Sequence, residues 1–171
     1  SGPSSLPIPH GVNFQKVTTA HQMRDAILEH APHMDVVVMA AAVGDYRPCQ
    51  VAPQKMKKLQ SDLKITLTKN PDILGHLGKS RAAAARPILV GFAAETENLI
   101  ENATEKLVQK NLDFIVANNL TQTGSGFGWD TNQVKIIDRK GDIADLPPMK
   151  KEEVAQHVFD RVEVLLGVKK P

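Results

Sequence analysis

The chain has 171 residues, 42% hydrophobic and 23% charged, the make-up of an ordinary globular domain that buries about two thirds of its unfolded surface. With a net charge of only +2 nothing demands nucleic acid or an anionic membrane as a partner, and none is expected; any phosphate-binding patch must be local. No apolar run approaches the ~20 residues of a membrane-spanning helix, the first residues lack the order of a signal peptide, and a single cysteine, Cys49, excludes an intrachain disulfide or a thiolate zinc site, so the expected address is the cytoplasm.

Residues 1–11 carry five prolines and glycines and read as loop. "NFQKVTT" is a short predicted strand, after which Thr18 or Thr19 caps a helix over "AHQMRDAILEH" with Met23, Ile27 and Ala31 on one face. Asp35 to Ala41 is continuously apolar and β-rich, as a strand covered on both faces should be. Residues 42–62 hold prolines, glycines and lysines with few apolar anchors, which predicts a long exposed loop. "LKITLTK" alternates as a strand, and Asn70-Pro71-Asp72 reads as a helix start with Asn70 as N-cap. "PILVGFAA" and "LDFIVANNL" predict further strands on either side of the helix "NLIENATEKLVQK", whose stripe is Leu99, Ala103 and Leu107. Beyond the glycine-rich "TGSGFGWDTN", "QVKIID" and "GDIADL" predict a small edge hairpin. A last helix follows, with Val154, Val158, Val162 and Leu165 in register.

Strand and helix alternate through most of this order. That pattern predicts an α/β fold, a three-layer αβα Rossmann-like sandwich on a mostly parallel sheet, in which ligands bind past the carboxyl ends of the strands. Three predicted strand ends carry unusual chemistry there: "AAAVGD", "GFAAET" and "ANNL". Ala40, Ala41 and Ala42 strip the first of bulk, which suits either a tight helix contact or a ligand against the backbone. Asp45, just beyond, has the placement of an acid that holds ribose hydroxyls or a magnesium ion. Lys55, Lys57 and Lys58 lie on the long loop at the same end, where a lysine can fold over phosphates; otherwise they are a solvated run. Pro71 to Leu74 offers free N–H groups at a helix start, and Lys106 and Lys110 share a helix face by their i,i+4 spacing. Phe92 suits either a nucleobase or the core. The six histidines show no metal-ligand spacing, Cys49 has no histidine near it in sequence, and neither GxGxxG nor a P-loop is present. From residues alone, this is a nucleotide or phosphate site on an α/β sheet.

Six motifs in order, "AAAVGDYRP", "VAPQKMKK", "KNPDIL", "VGFAAET", "KNLDFIVANN" and "GFGWDTN", resemble those of the phosphopantothenoylcysteine synthetase family, the ligase half of a bifunctional bacterial coenzyme A enzyme. The resemblance runs from Ser1 to the last helix. It implies a single domain over 1–171 that lacks the family's first strands, Gly-rich turn and catalytic asparagine, with a flap loop over 46–62. It also implies ligation of phosphopantothenate to cysteine at the expense of CTP, through an acyl-cytidylate and with Mg²⁺. Carried over residue by residue, CTP contacts fall to Ala40, Ala41, Ala42, Asp45, Lys55, Pro71, Asp72, Ile73, Leu74, Phe92, Lys106 and Lys110. Lys55 is the catalytic lysine of the flap, and Asp45 is the residue open to Mg²⁺. The family further implies a homodimer and a fused upstream decarboxylase domain, which alone would hold FMN. Two other readings stand beside it: a non-catalytic nucleotide-binding or dimerisation fragment of that enzyme, and a Rossmann-type NAD(P)-binding oxidoreductase, against which the missing GxGxxG counts.

Overall fold

Alternating apolar strands and amphipathic helices give the predicted layered architecture in the computed structural model, which describes residues 1–57, 62–81, 86–121 and 128–168. Lys58 of "KMKK" and the glycine-rich run 122–127 lie outside the described residues. In chain order the elements are α1 (Ala20–His30), β1 (Val36–Met39), β2 (Tyr46–Pro48), β3 (Leu67–Lys69), α2 (Ile73–Ser80), β4 (Ile88–Glu95) and α3 (Leu99–Gln109). They continue with β5 (Phe114–Asn119), β6 (Thr131–Asn132), β7 (Val134–Asp138), β8 (Ile143–Asp145), β9 (Met149–Lys150) and α4 (Lys151–Leu166). The chain divides into two compact units, Ser1–Ile27 with Ala41–Asp72, and Leu28–Ala40 with Ile73–Pro171.

The second unit is built on a five-stranded sheet of order β1-β4-β5-β7-β8. β1, β4 and β5 run parallel, with Val38 opposite Val90 and Phe92 opposite Val116. β7 and β8 form the predicted antiparallel hairpin at the far edge, Ile137 opposite Ile143. Strand alternation sorts the side chains into two cores. On one face Ile88, Val90, Phe114, Val116, Val134 and Ile136 pack against Val154, Val158 and Val162 of α4. The alternate residues Leu89, Ile115 and Ile137 are buried on the other face, where α2 and α3 pack on the sheet and Leu77, Ala103 and Leu107 are buried. Leu165 departs from the predicted stripe and is 47% exposed; the buried row continues by i+4 steps from Val162 to Leu166 instead.

Two close approaches fix this packing. A Cβ on Gly78 of α2 would lie 1.8 Å from the Lys110 carbonyl oxygen, and one on Gly91 would meet Leu112 Cδ1 at 2.7 Å. At the amino-terminal ends of β4 and β5 a polar clasp closes the sheet. The Asp113 carboxylate pairs with the buried Arg81 guanidinium and accepts the Leu89 N–H at 2.7 Å. Arg81 also donates to the Asn111 carbonyl at 2.8 Å, as does Arg139 at 2.7 Å.

Several expectations are corrected. The apolar run 35–41 forms the edge of the sheet, with Val38 exposed, because β4 pairs with only one side of it and the strand is therefore not covered throughout. "NFQKVTT" forms no strand: Val17 is buried there and its N–H donates to the Ser1 carbonyl while the Ser1 amine donates to the Gln15 carbonyl, a pairing with one residue that does not extend into a ladder. The predicted 42–62 loop opens with a strand, β2, which pairs antiparallel with β3, Arg47 opposite Thr68. A three-residue strand has too few alternations to be read from sequence. No helix among the described residues is long and apolar enough to cross a membrane.

Candidate functional site

The first unit holds the turn that follows Ala40. Ala41 and Ala42 are exposed, and with Val43 and Gly44 they line a cavity of about 410 Å³ whose other walls include Thr18, Thr19 and Asn70. The threonines are placed by the start of α1. The Gln22 N–H donates to Thr19 Oγ1 at 3.1 Å, while Thr18 N–H, Thr18 Oγ1 and Thr19 N–H donate to Gln22 Oε1 at 2.9, 2.8 and 3.1 Å. This is a reciprocal cap between N-cap and N3, so the predicted capping by Thr19 is correct.

Asn70 does something other than expected. Helix α2 begins only at Ile73, and the Asn70 side chain is committed elsewhere. Its Nδ2 donates to the Gly44 carbonyl at 2.7 Å, its backbone N–H donates to the Asp45 carbonyl at 2.8 Å, and its Oδ1 accepts from Arg47 at 3.3 Å. Arg47 also donates to the Lys69 carbonyl. The Gly44–Asp45 turn is thus tied to the end of β3 by one residue, and the Asp45 carboxylate stands exposed without a partner among the described residues. Beyond β2, Lys55 is exposed, and no ion pair engages it among the described residues. Pro71 and Asp72 close this unit.

The second unit holds Ala40 after β1, the first turn of α2, and the carboxyl end of β4. Ile73 is buried at 4% exposure and Leu74 lies beside Gly91, so both serve the core by their side chains and offer a ligand only backbone. Phe92 is 38% exposed within a strand whose neighbours at 90 and 93 are buried. Lys106 reaches from α3 to the Glu95 carboxylate, which is itself 14% exposed. Asn102 Nδ2 donates to Glu95 Oε2 at 3.2 Å and to the Glu97 carbonyl at 3.0 Å. Lys110 is the C-cap of α3, its N–H bonded to the Lys106 carbonyl at 3.0 Å. Glu95 was not among the residues expected from sequence, although an acid closing the strand in "GFAAET" is the same signal that marked Asp45.

Asp45, Lys55, Ala41, Ala42, Pro71 and Asp72 belong to the first unit, and Ala40, Ile73, Leu74, Phe92, Lys106 and Lys110 to the second. No group of three histidine, cysteine, aspartate or glutamate side chains that could hold a metal ion occurs among the described residues.

Comparison with known proteins places the chain in a family. Over 166 residues the chain is 41% identical to the coenzyme A biosynthesis bifunctional protein CoaBC of Bacillus subtilis (strain 168), a match covering 96% of this chain and 40% of that protein. The chain thus spans about two fifths of the length of that curated relative. A crystal structure of the C-terminal domain of a coenzyme A biosynthesis bifunctional protein CoaBC superposes with a TM-score of 0.79 at 34% identity, covering 98% of this chain and 73% of the other. A Cab2 protein in complex with phosphopantothenate-cysteine has the same fold, with a TM-score of 0.65 at 22% identity over 91% of this chain and 54% of its own. The model of the DNA/pantothenate metabolism flavoprotein C-terminal domain matches residues 1–165, both units included, and the chain belongs to that family.

Proposed function

We propose that this chain is the synthetase part of a coenzyme A biosynthetic enzyme, joining 4'-phosphopantothenate to cysteine with CTP. The observation that carries the reading is the end-to-end relationship to CoaBC proteins, spanning 96% of the chain. The residues fit the chemistry. A carboxylate is a poor electrophile, so it must first attack the α-phosphate of the nucleotide and become an acyl-cytidylate with loss of pyrophosphate. The cysteine amine then attacks the acyl carbon, the C–O bond to the phosphate breaks, and CMP leaves. The first step brings an anion onto a polyanion, so positive charge at the phosphates lowers its barrier.

Lys55 supplies that charge from the exposed loop, and Lys106 and Lys110 supply it from α3. Asp45, fixed by Asn70 and otherwise unpartnered among the described residues, takes the ribose hydroxyls or an ion carried by the nucleotide. Magnesium fits there because it keeps several waters and needs only one or two carboxylates besides phosphate oxygens. When bound, it neutralises charge on the phosphates. Flavin chemistry is assigned to a decarboxylase domain fused upstream, not to these residues. The enzyme is read as cytoplasmic.

A homodimer belongs to the same reading. Leu63, Ile65 and Leu67 alternate at a period of two up to the start of β3, and they are 51%, 62% and 54% exposed. Two strands of three residues are marginal without further burial, and a second copy supplies it.

Titration of the protein with CTP, ATP and NADPH, each with and without magnesium, tests the proposal. CTP is expected to bind more tightly than ATP, with magnesium required for full affinity. Binding of NADPH in place of CTP would overturn the reading in favour of an oxidoreductase.

A further inference from the structure

The three donors of a lysine ammonium allow it to hold one carboxylate and still face an anion with the other two. Lys106 is in that condition. Its amine is paired with Glu95, and the lysine side chain is 45% exposed while the carboxylate is mostly buried. Glu95 is in turn held from three sides. It closes β4 opposite Asn119, its carbonyl accepts the Leu120 N–H at 2.9 Å, and Asn102 bonds its Oε2. The same Asn102 amide holds the Glu97 carbonyl, tying the strand end to the helix that carries Lys106.

We infer that Glu95 is a positioning residue: it fixes the Lys106 ammonium at the carboxyl end of the sheet, where that ammonium meets the nucleotide phosphates. The inference rests on the nucleotide reading above. A free lysine has one of the most mobile side chains and loses that freedom when it grips a ligand. Glu95 removes this loss beforehand, which is how preorganisation raises affinity. It also carries a negative charge that repels a triphosphate, so the two effects oppose each other. While Lys106 is present the ordering of its ammonium outweighs that repulsion. Without Lys106 only the repulsion remains.

That opposition yields a test by double-mutant cycle on CTP affinity. Glu95→Ala is expected to weaken CTP binding about tenfold in the otherwise unaltered protein, a coupling of ordinary size for contacting residues. In a Lys106→Ala background the same change is expected to leave binding equal or tighter. In a Lys110→Ala background the loss of about tenfold should persist. Glu95→Gln keeps the shape and the Asn102 bond but not the charge, and is expected to recover the thermal midpoint without recovering affinity. An equal loss in all three backgrounds, or full recovery of affinity by Gln, would show a merely structural role and overturn the inference while leaving the nucleotide reading intact. Failure of the unaltered protein to bind CTP at all would overturn both.

Discussion

Positions 78 and 91 both lack room for a side chain, but what blocks each differs. At Gly78 the obstacle is the backbone carbonyl of Lys110, and at Gly91 it is the end of the Leu112 side chain. Overpacking against backbone has no rotamer to relieve it, so Gly78→Ala is expected to cost at least ~3 kcal/mol, the upper part of the usual range, and Gly91→Ala ~1 kcal/mol. Urea unfolding of the two variants checks the order; equal costs would mean that α2 shifts freely against α3. In the neighbouring clasp Arg81→Met leaves Asp113 with the Leu89 N–H and, at 3.5 Å, the half-exposed Arg139, but no buried cation, and should cost about 1–3 kcal/mol. At the site, Lys55→Gln is expected to slow acyl-cytidylate formation by ~10²-fold, the scale of one lost transition-state charge contact, while Lys57→Gln does much less. Equal small effects in a single-turnover assay would reduce the loop lysines to a solvated run. Asp45 was singled out in the sequence because it follows the end of an apolar run; its role stands as a proposal. The Asn70 tether and the Glu95–Lys106 pair were not legible, since each joins residues 11 to 26 positions apart that only the tertiary fold brings together.

Elements with a long period were legible and short ones were not. α1 spans the residues its pattern gave, and the valine row of α4 is buried as its spacing required. β2 has three residues, too few for alternation to rise above loop composition, whereas β3 is the end of the alternating "LKITLTK" and was legible. The edge position of β1 was hidden for another reason: its run of valines is as apolar as that of a central strand, and pairing order is not written in a strand's own residues. The row Leu63, Ile65, Leu67 carries the element-scale prediction. Ile65→Lys should place a charge in the proposed dimer contact and convert the protein to monomer in sedimentation equilibrium, with the fold retained by circular dichroism. A dimer that persists unweakened in that variant would remove this surface from the assembly.

For the molecule as a whole, the layered order follows from composition and periodicity, whereas the chemistry does not. The same α/β sandwich serves many reactions, and the function lies in a few side chains at strand ends. One family model spans both compact units of this chain. The proposal that the chain serves ligation with CTP can be put to a direct test. The most direct measurement replaces the matching 166 residues of the Bacillus subtilis CoaBC protein with this chain and assays the product by mass spectrometry. With CTP, magnesium, phosphopantothenate and cysteine, the chimera is expected to form phosphopantothenoylcysteine and CMP in equal amounts, with no amide when CTP is omitted. A folded chimera that binds CTP yet forms no amide, or forms it without consuming CTP, would contradict the proposal.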